Sequence, residues 1–191
     1  MKKFNSQGFT LLELMIVVGI AGVITAIATP KIRVMLVTNE IVETVQDLRM
    51  SLKLARSEAI TRGQNTIVCS STDGSTCSLT DGTWAQGWIV GVDLNTNGQI
   101  DEAQGELIWV HQMDGDTQLT IVPTAGIFGN IVTFRHTGML GSVPDRFEIC
   151  SGYVALGEAG FPMRTIDISI GGEPVLLKHI ENPPSTTLVQ C

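Results

Sequence analysis

The feature that most limits the fold of this chain is an apolar run from Phe9 to Pro30, whose only charged side chain is Glu13. At about 1.5 Å per helical residue, a helix of this length spans the hydrocarbon core of a bilayer, which is about 30 Å thick. Lys2 and Lys3 precede the run, and no acidic residue accompanies them. The positive-inside rule therefore predicts a cytoplasmic N-terminus, with the chain beyond Pro30 across the membrane.

Glu13 separates this run from an ordinary secretory signal peptide. A carboxylate in a membrane helix costs about 2.5–3.5 kcal/mol even on insertion scales, so it requires a function and a partner. A signal peptide would offer neither, although Ala26-Ile27-Ala28 loosely resembles its cleavage site. The acid therefore favours a retained helix that contacts another polypeptide.

The residues around Glu13 form a recognisable motif. The stretch Gly8-Phe9-Thr10-Leu11-Leu12-Glu13 resembles the class III signal of type IV prepilins. The resemblance implies that a membrane peptidase cuts between Gly8 and Phe9, that the new amine of Phe9 is methylated, and that Glu13 is the acidic assembly residue. A cationic chain end and a carboxylate of a neighbouring subunit cost less together in lipid than apart, so Glu13 would set the register of subunits. Residues 1–8 are the predicted leader and residues 9–30 the predicted membrane segment.

Residues 31–63 predict an amphipathic continuation of the same helix. Apolar residues recur there at mostly three- and four-residue steps and form one stripe, which we expect to pack on a β-sheet: Val34, Ile41, Val45, Leu48, Leu52, Ala55 and Ala59. Pro30 should kink or locally unwind the helix. Gly63 is the expected C-terminal cap.

After Gly63 the hydrophobic period shortens towards 2, which predicts a β-rich head over residues 64–191. The candidate strands are short and closely spaced, which leaves no room for crossover helices, so the sheets must be antiparallel. They are residues 65–70, 87–93, 106–111, 118–122, 131–134, 146–150, 165–170 and 174–179. In residues 165–170 the alternation places Ile166, Ile168 and Ile170 on one face. The predicted fold is α+β.

Several segments resemble the GspH/FimT family of minor pilins and pseudopilins. Ala55-Arg56-Ser57-Glu58-Ala59 is similar to the end of the family's helix. The segments GWIVGVDLNTNGQID, VTFRHTGML, FEIC and RTIDISIGG then follow in the family's order. The resemblance covers nearly the whole chain, and it implies a structural subunit of a filament.

The four cysteines indicate disulfides in an oxidising compartment. An even number of cysteines behind an export signal is typical of disulfide pairs, and three connectivities are possible. We favour Cys69–Cys77, which would close a short loop, and Cys150–Cys191, which would tie down the C-terminus. Four buried thiols in a cytoplasmic protein are the alternative, but a cysteine as the last residue fits that alternative poorly.

One loop resembles a calcium site. Oxygen-bearing side chains alternate and precede a glycine, as at the start of an EF-hand-like loop: Asp93, Asn95, Asn97 and Asp101. The twelfth position is Gln104, which cannot supply a bidentate carboxylate, and Asn97-Gly98 equally predicts a hairpin turn. We therefore expect no metal or other cofactor and keep calcium as a secondary hypothesis.

Charge disfavours a nucleic-acid partner. The formal net charge is −7, which repels phosphates. Some relatives resemble DNA receptors through a Gly-Arg-x-Arg turn, but this chain has Gly172-Glu173-Pro174-Val175 at that place. Arg164, Lys178 and His179 are scattered nearby. The charge and the missing arginines disfavour DNA binding, which stays an alternative.

No catalytic motif is present in the sequence. The three histidines (His111, His136 and His179) are far apart and belong to no metalloprotease, hydrolase or P-loop motif. Trp84, Trp88 and Trp109 are interpreted as packing residues, with an exposed partner-binding role as the alternative.

The sequence thus predicts a structural protein and no enzyme. It would be a minor pilin of a type IV pilus, or a pseudopilin of a type II secretion system. The expected partners are other pilin subunits, the prepilin peptidase and the bacterial inner membrane. The head would lie in the periplasm before the subunit enters the filament.

Overall fold

The computed structural model describes residues 9–78, 83–113, 119–123, 129–151 and 163–177. One long helix, α1, spans Leu11–Arg62 and precedes eight strands. The strands are β1 (Thr66–Ser70), β2 (Gly87–Val92), β3 (Leu107–Gln112), β4 (Leu119–Pro123), β5 (Ile131–Phe134), β6 (Asp145–Ser151), β7 (Met163–Ile168) and β8 (Pro174–Leu177). Two short 3-10 helices, Thr83–Gln86 and Glu102–Gln104, are additional elements.

The chain divides into two compact units, Met1–Leu36 and Val37–Cys191. In the first unit, residues Leu11–Thr29 are long and apolar enough to cross a membrane, and none of them is buried. The two hydroxyls in this stretch bond to the helix itself: Thr25 donates to the carbonyl of Ala21 (2.9 Å) and Thr29 to that of Thr25 (2.7 Å). Such bonds satisfy polar groups that lipid could not.

The helix continues through position 30 without a break. The local unwinding predicted at Pro30 is therefore absent from this structure. Proline removes only one backbone N–H donor. The other hydrogen bonds of a long helix are enough to keep the backbone helical at that position.

The second unit contains two antiparallel four-stranded sheets. The first sheet has the order β3-β2-β1-β5 and the second β4-β6-β7-β8. Every described pairing is antiparallel, as the short connections require. The α+β fold is confirmed.

The apolar stripe of α1 forms the main core together with both sheets. The stripe residues from Ile41 to Ala59 are at most 1% exposed, and they pack in one cluster with residues such as Val68, Val90 and Ile166. Trp84 and Trp88 are fully buried in the same cluster. Their indole N–H groups donate to the carbonyl of Gly129 (2.9 Å) and to Oγ of Ser51 (2.9 Å), so neither polar atom is left unpaired.

All eight predicted strands are present, with ends displaced by at most two residues wherever both ends are described. Residue 118 and residues 178–179, which were predicted to belong to β4 and β8, lie outside the described residues. One orientation is wrong: Ile166 and Ile168 are buried, but Ile170 is 58% exposed. β7 ends at Ile168, and Ile170 lies in the following turn, so the period-2 alternation stops before it. Gly63 has φ of 65°, the left-handed conformation expected of a C-terminal cap.

A smaller core covers the other face of β1 and β2. It contains Ile67, Ile89 and Ile100 together with the predicted disulfide Cys69–Cys77. A disulfide that closes such a loop raises the free energy of unfolding by about 2–4 kcal/mol, because it restricts the unfolded chain. Cys150 is also disulfide-bonded, and its predicted partner, Cys191, lies outside the described residues.

The disulfide loop is organised by Asp73. Its Oδ1 accepts hydrogen bonds from the backbone N–H groups of Ser75 (2.9 Å) and Thr76 (2.9 Å), and its Oδ2 accepts one from the Thr76 hydroxyl (2.7 Å). These donors favour the carboxylate, the backbone bonds most, and hold the pKa of Asp73 well below its usual range.

Leu52→Ala should lower the free energy of unfolding by about 2–5 kcal/mol, because Leu52 is fully buried and its loss leaves a cavity. The matched control is Met50→Ala on the same helix, where the side chain is 67% exposed and the change should stay within about 0.5 kcal/mol. Denaturant unfolding of the full chain in detergent measures both. Equal effects of the two variants would contradict the packing described for α1.

The order of the Asp73 loop should depend on pH. Because the pKa of Asp73 is lower in the folded chain than the unfolded value of about 3.9, its stabilisation is complete above that value and disappears as the pH falls further. Hydrogen-exchange protection of the loop, corrected for the intrinsic rate, should fall below pH about 4. Asp73→Asn should show weak protection at every pH, whereas Asp167→Asn in the second sheet should behave as wild type. Unchanged protection in Asp73→Asn would contradict this account.

Candidate functional site

Thr10 caps the N-terminus of α1. Phe9 and Thr10 precede the helix, which begins at Leu11. Thr10 Oγ1 accepts a hydrogen bond from the backbone N–H of Glu13 (3.3 Å), and the Thr10 carbonyl accepts one from Leu14 N–H (3.2 Å). Thr10 is therefore the N-cap of the helix, and Glu13 occupies the third helical position, as in a capping box.

Glu13 lies in the first turn of α1 and is exposed. The ion pairs found among the described residues do not include it. An acid in the first turn is favoured by the partial positive charge of the helix N-terminus. Glu13 follows Phe9, which is 81% exposed, by four residues, and it is the only charged residue from Phe9 to Pro30.

The role of Thr10 was missed in the sequence, although a signal for it was available. A Ser or Thr followed three residues later by an acid, just before an apolar run, is the sequence pattern of a capping box. The predicted cleavage site Gly8–Phe9 would leave this cap intact, because the helix needs only Thr10 and the residues after it. Gly8 and the rest of the predicted leader lie outside the described residues.

The structure brings the four candidate calcium ligands into one loop after β2, where hydrogen bonds already occupy their oxygens. Asp93 accepts from the N–H groups of Asn97 (3.0 Å) and Gly98 (3.1 Å). Asp101 Oδ2 accepts from the side-chain amides of Asn95 (2.9 Å) and Asn97 (3.1 Å). Within the described ranges, no group of three or more His, Cys, Asp or Glu side chains could hold a metal ion. The loop is self-satisfied, and the calcium hypothesis gains no support from it.

A buried acid that the sequence did not single out fixes this loop. Glu106 is fully buried, and its carboxylate accepts hydrogen bonds from the backbone N–H groups of Leu94 (2.9 Å) and Asp101 (2.7 Å). Bonds from backbone donors to a carboxylate are about twice as strong as neutral ones and offset its burial. The sequence predicted Glu106 as the first residue of β3. The pattern of its neighbours gives no sign that its side chain bonds to the backbone of the preceding loop.

The turn before β8 is held to α1 by a row of cations. Arg56 and Lys53 both pair with Glu173, Lys53 at 3.5 Å. Arg49 Nε donates to the carbonyl of Pro174 (3.2 Å), and Arg56 Nε to that of Gly138 (3.0 Å). A Cβ at position 172 would collide with the Gly138 carbonyl, so only glycine fits there. Glu173 thus joins this turn to the helix.

The described histidines do not form a catalytic arrangement. His111 stacks on Trp88, with ring centroids 4.1 Å apart, and its Nδ1 lies 4.0 Å from Asp47. His136 donates its backbone N–H to Asn65 in a turn after β5. His179 lies outside the described residues, as does Lys178.

Two family profiles match the sequence. The profile described as "Type II transport protein GspH" matches residues 44–172, and the profile described as "Prokaryotic N-terminal methylation motif" matches residues 3–29. No curated protein is similar enough in sequence to count as a relative.

Two crystal structures of the type IV minor pilin FimU from Pseudomonas aeruginosa (strain PAO1) share the fold. The first has 21% sequence identity and a TM-score of 0.53, with 73% of this chain and 89% of FimU covered. The second has 20% identity and a TM-score of 0.50, with 71% and 90% covered. At this identity the likeness concerns the fold, while the GspH profile covers most of the sequence. The chain therefore belongs to the GspH family of type IV pilin-like proteins.

Proposed function

We propose that this chain is a minor pilin of a type IV pilus. Residues 9–30 anchor it in the bacterial inner membrane, with the second unit in the periplasm, until it enters the filament through α1. The observation that carries this proposal is the exposed apolar stretch Leu11–Thr29, with an exposed acid, Glu13, in its first turn. Lipid covers such a surface first, and the helices of neighbouring subunits cover it in a filament.

The processing steps give Glu13 its partner. Cleavage between Gly8 and Phe9 would create an amine within four residues of Glu13 on every subunit, and methylation of Phe9 would keep it cationic. The capping role of Thr10 supports this order of events, because the helix start is already fixed when the leader is removed. In lipid, a neighbouring subunit's amine is the cheapest partner for the Glu13 carboxylate.

A pseudopilin of a type II secretion system is the second candidate. The matching family is itself described as a type II transport protein, and the same anchor and head serve both machines. Deleting the gene distinguishes the two: loss of surface pili supports the first candidate, and loss of exoprotein secretion with normal pili supports the second.

The DNA-receptor alternative is less favourable than either. In the turn before β8, Glu173 forms ion pairs with Arg56 and Lys53. Phosphates would therefore compete with a carboxylate of the chain for these two cations, and the net charge opposes binding as well.

Glu13→Ala should leave the protein produced and processed but reduce its incorporation into filaments by about tenfold or more, because a lone cationic chain end then stays unpaired in lipid. Quantitative immunoblots of sheared filaments and of membranes measure this. Thr25→Ala is the control: among the described residues, the Thr25 hydroxyl donates to carbonyls of its own helix, those of Ala21 and Gly22, so incorporation should be normal. Normal incorporation of Glu13→Ala would refute the register role of this acid.

The intact mass of the mature protein should show three changes from the encoded chain: loss of Met1–Gly8, gain of one methyl group, and loss of four hydrogens for two disulfides. Reduction should restore the four hydrogens. A mass that retains the leader, or that shows cleavage after Ala28, would overturn the assignment as a pilin.

A further inference from the structure

A groove between α1 and β3 in the second unit has no function in the account so far. Its volume is about 230 Å³, and Asp47, Met50, Ser51, Leu54, Trp109 and His111 line it. We call it the α1–β3 groove. The helix contributes four of these residues and the outer strand of the first sheet contributes two.

The walls of the α1–β3 groove are apolar and open to solvent. Trp84 and Trp88 are fully buried, but Trp109 is 51% exposed, and Met50, which lines the same groove, is 67% exposed. The indole of Trp109, the thioether of Met50 and the partly buried Leu54 line the same groove. Single exposed apolar residues are ordinary, whereas a lined groove that presents a Trp face is typical of a contact site.

Contacts with buried residues fix the positions of His111 and Ser51, which line the groove. His111 stacks on Trp88 at an interplanar angle of 17°. The Trp88 indole donates to Ser51 Oγ (2.9 Å), which in turn donates to the Asp47 carbonyl (2.9 Å). The groove is thus largely formed before anything enters it, which lowers the entropy cost of binding.

The charge of the groove is negative. The side chain of Asp47 is 39% exposed. Among the described ion pairs, Asp47 contacts only His111, which is charged only when it is protonated. Glu43 lies one turn earlier on the same face of α1, is exposed, and makes none of those ion pairs. Acids at positions i and i+4 repel each other, so a cation placed between them would relieve this repulsion.

We propose that the α1–β3 groove receives an Arg or Lys side chain of a neighbouring subunit that is a different pilin-like protein. The aliphatic stem packs on Met50 and Leu54, the cationic end lies over the indole of Trp109, and Asp47 and Glu43 neutralise it. Charge decides the occupant, because two carboxylates beside an aromatic face attract a cation and repel nucleic acid and anionic lipid headgroups. The proposal rests on the proposed function in that the partner is another subunit of the same filament.

The test places a photo-crosslinker, p-benzoylphenylalanine, at Gln46 of the full-length chain in its own bacterium. Gln46 is exposed and lies one helical turn before Met50, so it borders the groove without lining it. After irradiation, mass spectrometry identifies the joined peptides. We expect crosslinks to a different subunit that carries a prepilin motif, at a segment containing Arg or Lys.

Charge dependence completes the test. Asp47→Asn combined with Glu43→Gln should lower the crosslink yield about three- to tenfold. The control, Asp167→Asn, removes an exposed acid that pairs with Arg146 in the second sheet, and it should leave the yield unchanged. Replacing the partner's crosslinked Arg or Lys with Gln should match the loss seen in the double variant.

Four outcomes would overturn the proposal: no crosslink, crosslinks within this chain or to a second copy of it, crosslinks to lipid, or a yield that the double variant does not change. Processing and filament incorporation are measured in the same cells. Normal incorporation without the expected crosslink refutes only the groove, whereas an unprocessed or unincorporated protein refutes the proposed function.

Discussion

The packing of a single face of α1 against both sheets organises the whole second unit. The stripe from Ile41 to Ala59 is almost completely excluded from water, and residues of both sheets meet it in one cluster. Neither sheet could bury its apolar face alone, since each has only four short strands. The helix therefore acts as the common core element, and the same helix begins as the predicted membrane anchor. Folding and anchoring are consequently properties of one continuous backbone.

The other faces of the helix carry out different tasks. The row Arg49, Lys53 and Arg56 holds the turn before β8 through Glu173 and two backbone carbonyls. These surface ion pairs contribute little each, but they act together with backbone bonds that fix the geometry. The face that bears Glu43 and Asp47 has no such lysine or arginine partner within the described ion pairs. Arg49, Lys53 and Arg56 thus bind other parts of the chain itself, whereas the face with Glu43 and Asp47 is the one that we propose contacts another subunit.

Local sequence patterns predicted the elements well because they depend on neighbouring residues. The α1 stripe and the eight strands follow directly from periods of 3.6 and 2, and Gly63 ends the helix as its conformational freedom predicts. What stayed hidden depends on the order of strands in space. Trp88 and Trp109 look alike in sequence, but β2 is an inner strand and β3 the outer one, so one indole is buried and the other is half exposed. Glu106 and Glu173 likewise gain their roles from partners far away along the chain.

In the function proposed for this chain, Glu13 has to satisfy two requirements at different times. Before assembly its charge is tolerated because it lies in the first turn of α1, where the helix N-terminus favours an acid and Thr10 accepts the bond from its backbone N–H. That stabilisation is worth about 0.3–1 kcal/mol at an exposed position, which is less than the cost of a carboxylate deep in lipid. The difference leaves a net penalty, which a cation of a neighbouring subunit would reduce. Under the proposed function, this penalty would drive a subunit in the membrane to pair with the cationic chain end of its neighbour.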